Sequence, residues 1–281
     1  GAFGLLGLLC GCDPIPPERF ETHTELIWND ESSAELMLAR KYLDIYVDKT
    51  ASLGLGEIIE EGDGFEPAPS SIPVYPSSPS ALWSRLLVNH TGSKSVDVIL
   101  DIEYSYYDHV LIYQVDSEGD LVTKWEVGDI FPFTARPIRN HSFVIPLTFD
   151  AQSKYTIYVR RVASEAMFVV ESLWKPKLFQ AQDRDEQALV GLFYGAMLIM
   201  LLYNFLLYLS TQERTYFFYC IYLFIHALFV FTYRGFSFEY LWPTYPEIRA
   251  VSVPVLVCAS HAALALFVQS YLNTKLKNPK H

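Results

Sequence analysis

The chain has 281 residues, 51% hydrophobic and 15% aromatic, with 21 Lys and Arg against 32 Asp and Glu for a net charge of −11. That is too apolar for a disordered protein and too charged for one buried wholly in lipid. The acidic balance, with no Lys/Arg-rich run, also argues against nucleic-acid partners, whose phosphates demand a basic surface.

The charge is divided unevenly. Asp13 to Gln187 holds 15 basic and 29 acidic residues, whereas Ala188 to His281 holds 6 and 3, so the chain reads as two parts. Residues 1–12 are apolar and then small up to Asp13-Pro14, as in the back half of a secretory signal peptide, which implies export of the segment beginning at Asp13. A short buried strand or helix is the alternative. Leu9-Cys10-Gly11-Cys12 loosely resembles a lipobox, but Cys10 stands where that motif takes a small or β-branched residue, so lipidation of Cys12 stays open. Residues 13–40 form a lead-in. Asp13 to Tyr219 contains no cysteine, which excludes a disulfide-stapled secreted domain.

Between Lys41 and Trp174 the pattern is period-two alternation in short runs bounded by turn residues, the signature of strands. The predicted strands are Tyr42–Val47, Leu82–Asn89, Val96–Glu103, His109–Val115, Leu121–Val127, Phe143–Phe149, Tyr155–Val162 and Met167–Trp174. Without crossover helices they cannot form a parallel sheet, so an all-β, jelly-roll-like antiparallel sandwich over 41–175 is expected. Ser117 to Asp120 reads as a hairpin turn, and the proline-rich run Glu66 to Pro79 as a loop crossing the sandwich.

On Leu82–Asn89, Leu82, Leu86 and Val88 project one way, and Trp83, Arg85, Leu87 and Asn89 the other. An indole two residues from a guanidinium makes a sugar or carboxylate platform, the ring stacking on C–H faces and the fork binding oxygens. The same pair also fits an Arg packed against a core aromatic. Trp83, Arg85, Asn89 and Arg136 are the candidate ligand-binding residues, with Arg139, Tyr104, Tyr106 and Tyr107 as further candidates for one groove. The seven histidines show no metal-ligand spacing, and no phosphate loop or nucleophile elbow is present. No catalytic residue, cofactor or metal is expected. Asn89-His-Thr91 and Asn140-His-Ser142 match the glycosylation pattern, which matters only in a eukaryotic secretory pathway.

After a charged connector, 176–187, the composition turns apolar. Residues 188–209, 216–233 and 251–272 carry no charge, and about 20 such residues cross a hydrocarbon core. Three spanning helices are predicted. Export of the N-terminal part puts Ala188 outside, and Lys275, Lys277 and Lys280 then fall inside as the positive-inside rule prefers. Asn204, His226, His261 and Gln269 are polar positions within the spans, with helix–helix hydrogen bonding as their expected role. Gly191-Leu-Phe-Tyr-Gly195 is a small-xxx-small packing motif.

Leu189 to Leu209, Arg214-Thr-Tyr216, Arg234-Gly235, Tyr240-Leu-Trp-Pro243 and Tyr271-Leu-Asn-Thr-Lys275 resemble the opening of the bacterial seven-transmembrane receptors with diverse intracellular signalling modules. Tyr42-Leu-Asp-Ile-Tyr46, Leu82-Trp-Ser-Arg-Leu86, Pro132-Phe-Thr-Ala-Arg136 and Tyr155 to Arg160 with Trp174 resemble their type 2 extracellular domain. The resemblance implies a periplasmic jelly-roll sensor, likened in that family to carbohydrate-binding modules. It also implies a seven-helix inner-membrane module and a cytoplasmic output such as a diguanylate cyclase or histidine kinase. Against that pattern the sequence stops after the third helix, and the expected partners are a small ligand such as a carbohydrate, the bilayer, an output domain and a second copy as homodimer. A membrane-anchored assembly subunit and a periplasmic glycan-active enzyme are the competing functions.

Overall fold

The computed structural model describes residues 25–29, 42–69 and 72–272. The signal-peptide run, Cys12 and the lysines after residue 272 lie outside the described residues. The N-terminal part is a sandwich of two main sheets. Its long strand, β5 (Ala81–His90), lies between β2 (Leu43–Asp48) and β10 (Lys154–Val162), both antiparallel to it. The sheet continues through β7 (His109–Asp116) to β8 (Leu121–Val127) on one side and through β3 (Glu66–Pro67) on the other, and β1 (Leu26–Trp28) pairs in parallel with the end of β5. The opposing sheet is β12 (Glu171–Trp174), β6 (Val96–Ile102) and β9 (Phe143–Phe149). A small ladder joins β4 (Val74–Tyr75) to β11 (Met167–Phe168).

The chain crosses between sheets from β5 to β6, β6 to β7, β8 to β9 and β9 to β10, so alternate residues of each strand meet in one core. Leu82, Leu86 and Val88 of β5 enter it beside Val98, Leu100 and Ile102 of β6 and Ile145 and Leu147 of β9. The predicted hairpin closes with Gly119 at φ 92°, a left-handed conformation that costs glycine nothing, and Asp116 Oδ1 accepts from the Glu118 and Asp120 amides.

Seven predicted strands fall within a residue or two of the observed ones. The eighth, Met167–Trp174, is two strands, because the chain changes partner: Val169 N–H donates to Pro73 O, and Val170 O accepts from Glu103 N–H. The short strands β1, β3 and β4, and the helix α1 (Leu55–Glu60), carry too few residues for periodicity to show. α1 lies on the outer face of the large sheet, where Ile58 joins Phe65, Trp83, Tyr113, Val115 and Tyr158 in a second apolar cluster.

Among the described residues three helices are long and apolar enough to cross a membrane: α2 (Pro176–Thr211), α3 (Arg214–Tyr233) and, after the short α4 (Phe236–Tyr240), α5 (Pro246–Tyr271). Residues 176–187 are helical and continuous with the first span. Pro176 occupies the first helical position, where its missing N–H costs nothing, so only Lys175 separates β12 from α2. Among the polar span residues, His226 Nδ1 lies 3.2 Å from Ser260 Oγ across the α3–α5 contact, whereas His261 Nδ1 pairs with Val257 O and Asn204 Nδ2 donates to Met200 O within their own helices. A Cβ added at Gly191 or Gly195 would meet nothing within 4 Å, so among the described residues this motif packs no helix.

One charge pair is sealed in the sandwich. Arg161 and Glu171, 0% and 1% exposed, form an ion pair, and Ser84 Oγ donates to Glu171 at 2.6 Å. Glu171→Ala leaves a buried guanidinium without its counter-charge, and we expect a loss of about 3–5 kcal/mol, read as a lower urea midpoint of the sandwich tryptophan fluorescence.

Candidate functional site

The sandwich and the membrane helices meet through a joint built around Phe238 of α4. Its ring packs edge-on to Phe133 at 5.7 Å and lies 5.9 Å from the Arg136 guanidinium and 5.2 Å from that of Arg249. Arg249, on the first turn of α5, bonds Ser105 O and sits 2.7 Å from Asp129 Oδ2. Arg139 pairs with Glu239 at 3.0 Å, and Phe133 N–H donates to Pro243 O. The single Tyr106 O–H lies within hydrogen-bond distance of both Thr232 O and Tyr233 O, so a sandwich side chain caps the last turn of α3, where Thr232 O also accepts from Gly235 N–H. Gly235 turns the chain at φ 84°, a left-handed conformation that strains residues with a Cβ and costs glycine nothing.

Beside this joint opens a cavity of about 360 Å³, within the size range of small-molecule sites. β6 and the loop after it supply Asp101, Glu103, Tyr104, Ser105 and Tyr106. The loop before β9 supplies Asn140 and His141, with Ser142 at its end, and β12 supplies Trp174. Phe179, Gln182, Asp183 and Glu186 come from the first turns of α2, and Tyr233 and Arg234 from the end of α3. Asn140 Nδ2 donates to Asp183 at 2.9 Å, Arg234 pairs with Glu186, and His141 Nε2 lies 3.8 Å from the same carboxylate. Ser142 Oγ donates to Asp101 at 2.7 Å. Burial pushes the Tyr104 hydroxyl up to about 12 and that of Tyr106 up as well. Burial also lowers His141, partly opposed by the Glu186 charge. Among the described residues no group of His, Cys, Asp and Glu side chains is arranged to hold a metal ion.

The sequence-predicted site residues fall in three places. Trp83 is 0% exposed, stacked on Tyr113 at 6.0 Å beneath α1. Arg85 lies over Phe65 at 4.4 Å, pairs with Asp44 at 2.9 Å and donates to Gly62 O. Asn89 reaches Glu25 at 3.1 Å at the other end of β5. Arg136 is at the joint, where its Nη1 donates to the carbonyls of Asn140, His141 and Ser142 and its guanidinium faces Phe133 and Phe143. Tyr104 and Tyr106 line the cavity. Asp183 and Glu186 did not stand out in the sequence, and Asn140 did so only within a glycosylation pattern, because nothing local marks a polar loop residue that meets a helix about 40 positions later.

A β-sandwich thus runs directly into one helix long and apolar enough to span a membrane and caps the end of a second. Residues 40–175 match the family model for the 7TMR-DISM extracellular 2 domain, and residues 186–280 match that for the 7TM diverse intracellular signalling domain. The chain belongs to this receptor family, and its N-terminal domain lies on the periplasmic side of the inner membrane. No curated protein matches it. Among solved structures it is similar to the GH31 alpha-xylosidase from Xanthomonas citri, at 9% identity and TM-score 0.22 over 48% of this chain and 13% of that one. It is also similar to the K2 cleaved adhesin domain of Lys-gingipain, at 12% identity and TM-score 0.20 over 46% of this chain and 96% of that one.

The joint makes two outcomes measurable. Because folding lowers the affinity of His141 for a proton, the unfolded chain binds more protons between the folded value and the ordinary one near 6.5. Stability is therefore full above about pH 6.5 and falls as the pH drops below it; His141→Gln should flatten that part of the melting-temperature profile. Arg136→Met removes the shared donor of three carbonyls, and we expect faster amide exchange in 140–142 and a melting temperature lower by several degrees, about 2 kcal/mol, with or without any ligand.

Proposed function

We propose that this chain is the periplasmic ligand-sensing and membrane-relaying part of a bacterial receptor, and that its ligand is a small polar molecule held in the junction cavity. One observation carries the reading: the walls of that cavity come from the sandwich, from α2 and from α3 together. An occupant that prefers one relative pose of these walls shifts the population of poses, which is what a ligand needs in order to signal. The relay then runs along α2 without a flexible linker, towards a cytoplasmic output such as a diguanylate cyclase or histidine kinase in the whole receptor.

Direct contact of Trp83 or Arg85 with a ligand would require α1 to leave the face it covers. In this reading the two residues hold β5 in place, and a carbohydrate, where it is the ligand, binds at the junction through Trp174 and the neighbouring carboxylates and amides.

The test is to break the continuity. Inserting four residues, Gly-Ser-Gly-Ser, between Lys175 and Pro176 should abolish any ligand-induced change in spin-label distance between the sandwich and the far end of α2. An unchanged response in the insertion variant sinks the relay.

A further inference from the structure

Two stretches where the sandwich meets the helices carry no charge. Residues 130–135, after β8, read Ile-Phe-Pro-Phe-Thr-Ala, and residues 240–246, from the end of α4 to the start of α5, read Tyr-Leu-Trp-Pro-Thr-Tyr-Pro. The backbone joins them, Phe133 N–H donating to Pro243 O at 2.8 Å. Most of the flanking charges are engaged inside the protein: Asp129 pairs with Arg249, Arg136 donates to carbonyls and Glu239 pairs with Arg139, which leaves Glu247 exposed. Phe131 rests against His109, with ring centroids 5.8 Å apart, and so braces the first loop on the sandwich. Ile130 is nevertheless 54% exposed and Leu241 53%, and Tyr245 and Ile248 are exposed as well. In a domain this rich in charge, uncharged surface loops with exposed apolar side chains mark a contact rather than a water-facing surface.

The level of these loops follows from α5. Arg249 stands two residues before the uncharged stretch 251–272, about 3 Å along the helix axis, and the headgroup layer adds about 5–7 Å outside the hydrocarbon. Through Asp129 and Phe133 the first loop is tied to residues at that level. Ile248, Val251 and Val255 fall at i, i+3 and i+7 on one face of α5 and all are exposed, so an apolar face of the span runs up to the loops without a break.

We propose that the two loops form a lipid-docking rim. Ile130 and Leu241 enter the boundary between headgroups and acyl chains of the periplasmic leaflet, and Tyr245 lies at headgroup depth, where a ring with an apolar body and a polar tip is favoured. The rim seats the sandwich on the bilayer at the loop after β8, in addition to its contacts with the helices, and does so whether or not the junction cavity takes a ligand.

The test uses the full chain in phosphatidylcholine nanodiscs, with its four native cysteines replaced by alanine and Ile130→Cys carrying an environment-sensitive nitrobenzoxadiazole label. Glu118→Cys, on the β7–β8 hairpin, is the water reference, since the seven residues of β8 at about 3.3 Å each put it about 20 Å from the loop. Lipid bearing a nitroxide on its headgroup should remove most of the emission at 130 and little of that at 118, and the emission at 130 should be blue-shifted relative to 118. Thr134→Cys, exposed on the same loop, carries the same expectation where the 130 variant does not fold. Quenching on the loop no greater than at 118 overturns the proposal. Water-like emission would then show a rim that faces solvent, and blue-shifted emission a rim covered by protein, a second copy of this chain included.

Discussion

The architecture depends on one aromatic ring held between two buried guanidinium groups. Phe238 belongs to the short helix between the second and third spans, Arg136 to the sandwich, and Arg249 to the third span. A guanidinium tolerates this position because it is weakly hydrated and planar, so it can lie over a ring while its edge serves carbonyls. Arg136 closes the loop before β9 and Arg249 anchors the loop after β6. The two loops that form the sandwich side of the cavity are thus fixed by the contact that fixes the domain to the membrane. Loosening one loosens the other, which gives the cavity a physical connection to the helices beyond the covalent one.

The sandwich is attached at points with different physics. The β12–α2 passage is covalent and stiff, with Trp174 bracing Phe179 on the first helical turns. The α4 contact is apolar and cationic, and the Tyr106 cap is a hydroxyl shared between the last carbonyls of α3. Between these points lies the polar cavity, in which Asn140–Asp183 and Glu186–Arg234 span sandwich to helix and helix to helix. Polar contacts of this kind exchange readily with a polar ligand, whereas the apolar ones do not. In the proposed sensing role this arrangement would confine ligand-dependent change to the cavity side and leave the other attachments as pivots.

Much of the fold was legible in the sequence because the strands alternate strictly and the spans are long. Val98, Leu100 and Ile102 face the core as their spacing requires, and β5 presents Leu82, Leu86 and Val88 inward and Trp83 outward, as read from alternation alone. Period two says which face a residue takes but not what lies over that face; α1, only six residues long, covers Trp83 and carried no signal of its own. The candidate site was less legible for a related reason. Arg136 and the tyrosines after β6 drew notice by residue type, yet the carboxylates opposite them come from a helix whose charged start read as a connector. Which loop meets which helix turn is a long-range fact that no local pattern encodes.

The unbroken helix from Pro176 to Thr211 has a mechanical consequence. At 1.5 Å per residue its 36 residues form a rod of about 54 Å. A tilt of about 5° at the sandwich end would displace the opposite end by about 5 Å, close to one helical pitch. Sub-ångström adjustments around a bound molecule are too small to reorganise a domain across a bilayer. A rod of this length works as a lever and multiplies such adjustments geometrically, with no need for the helix itself to bend.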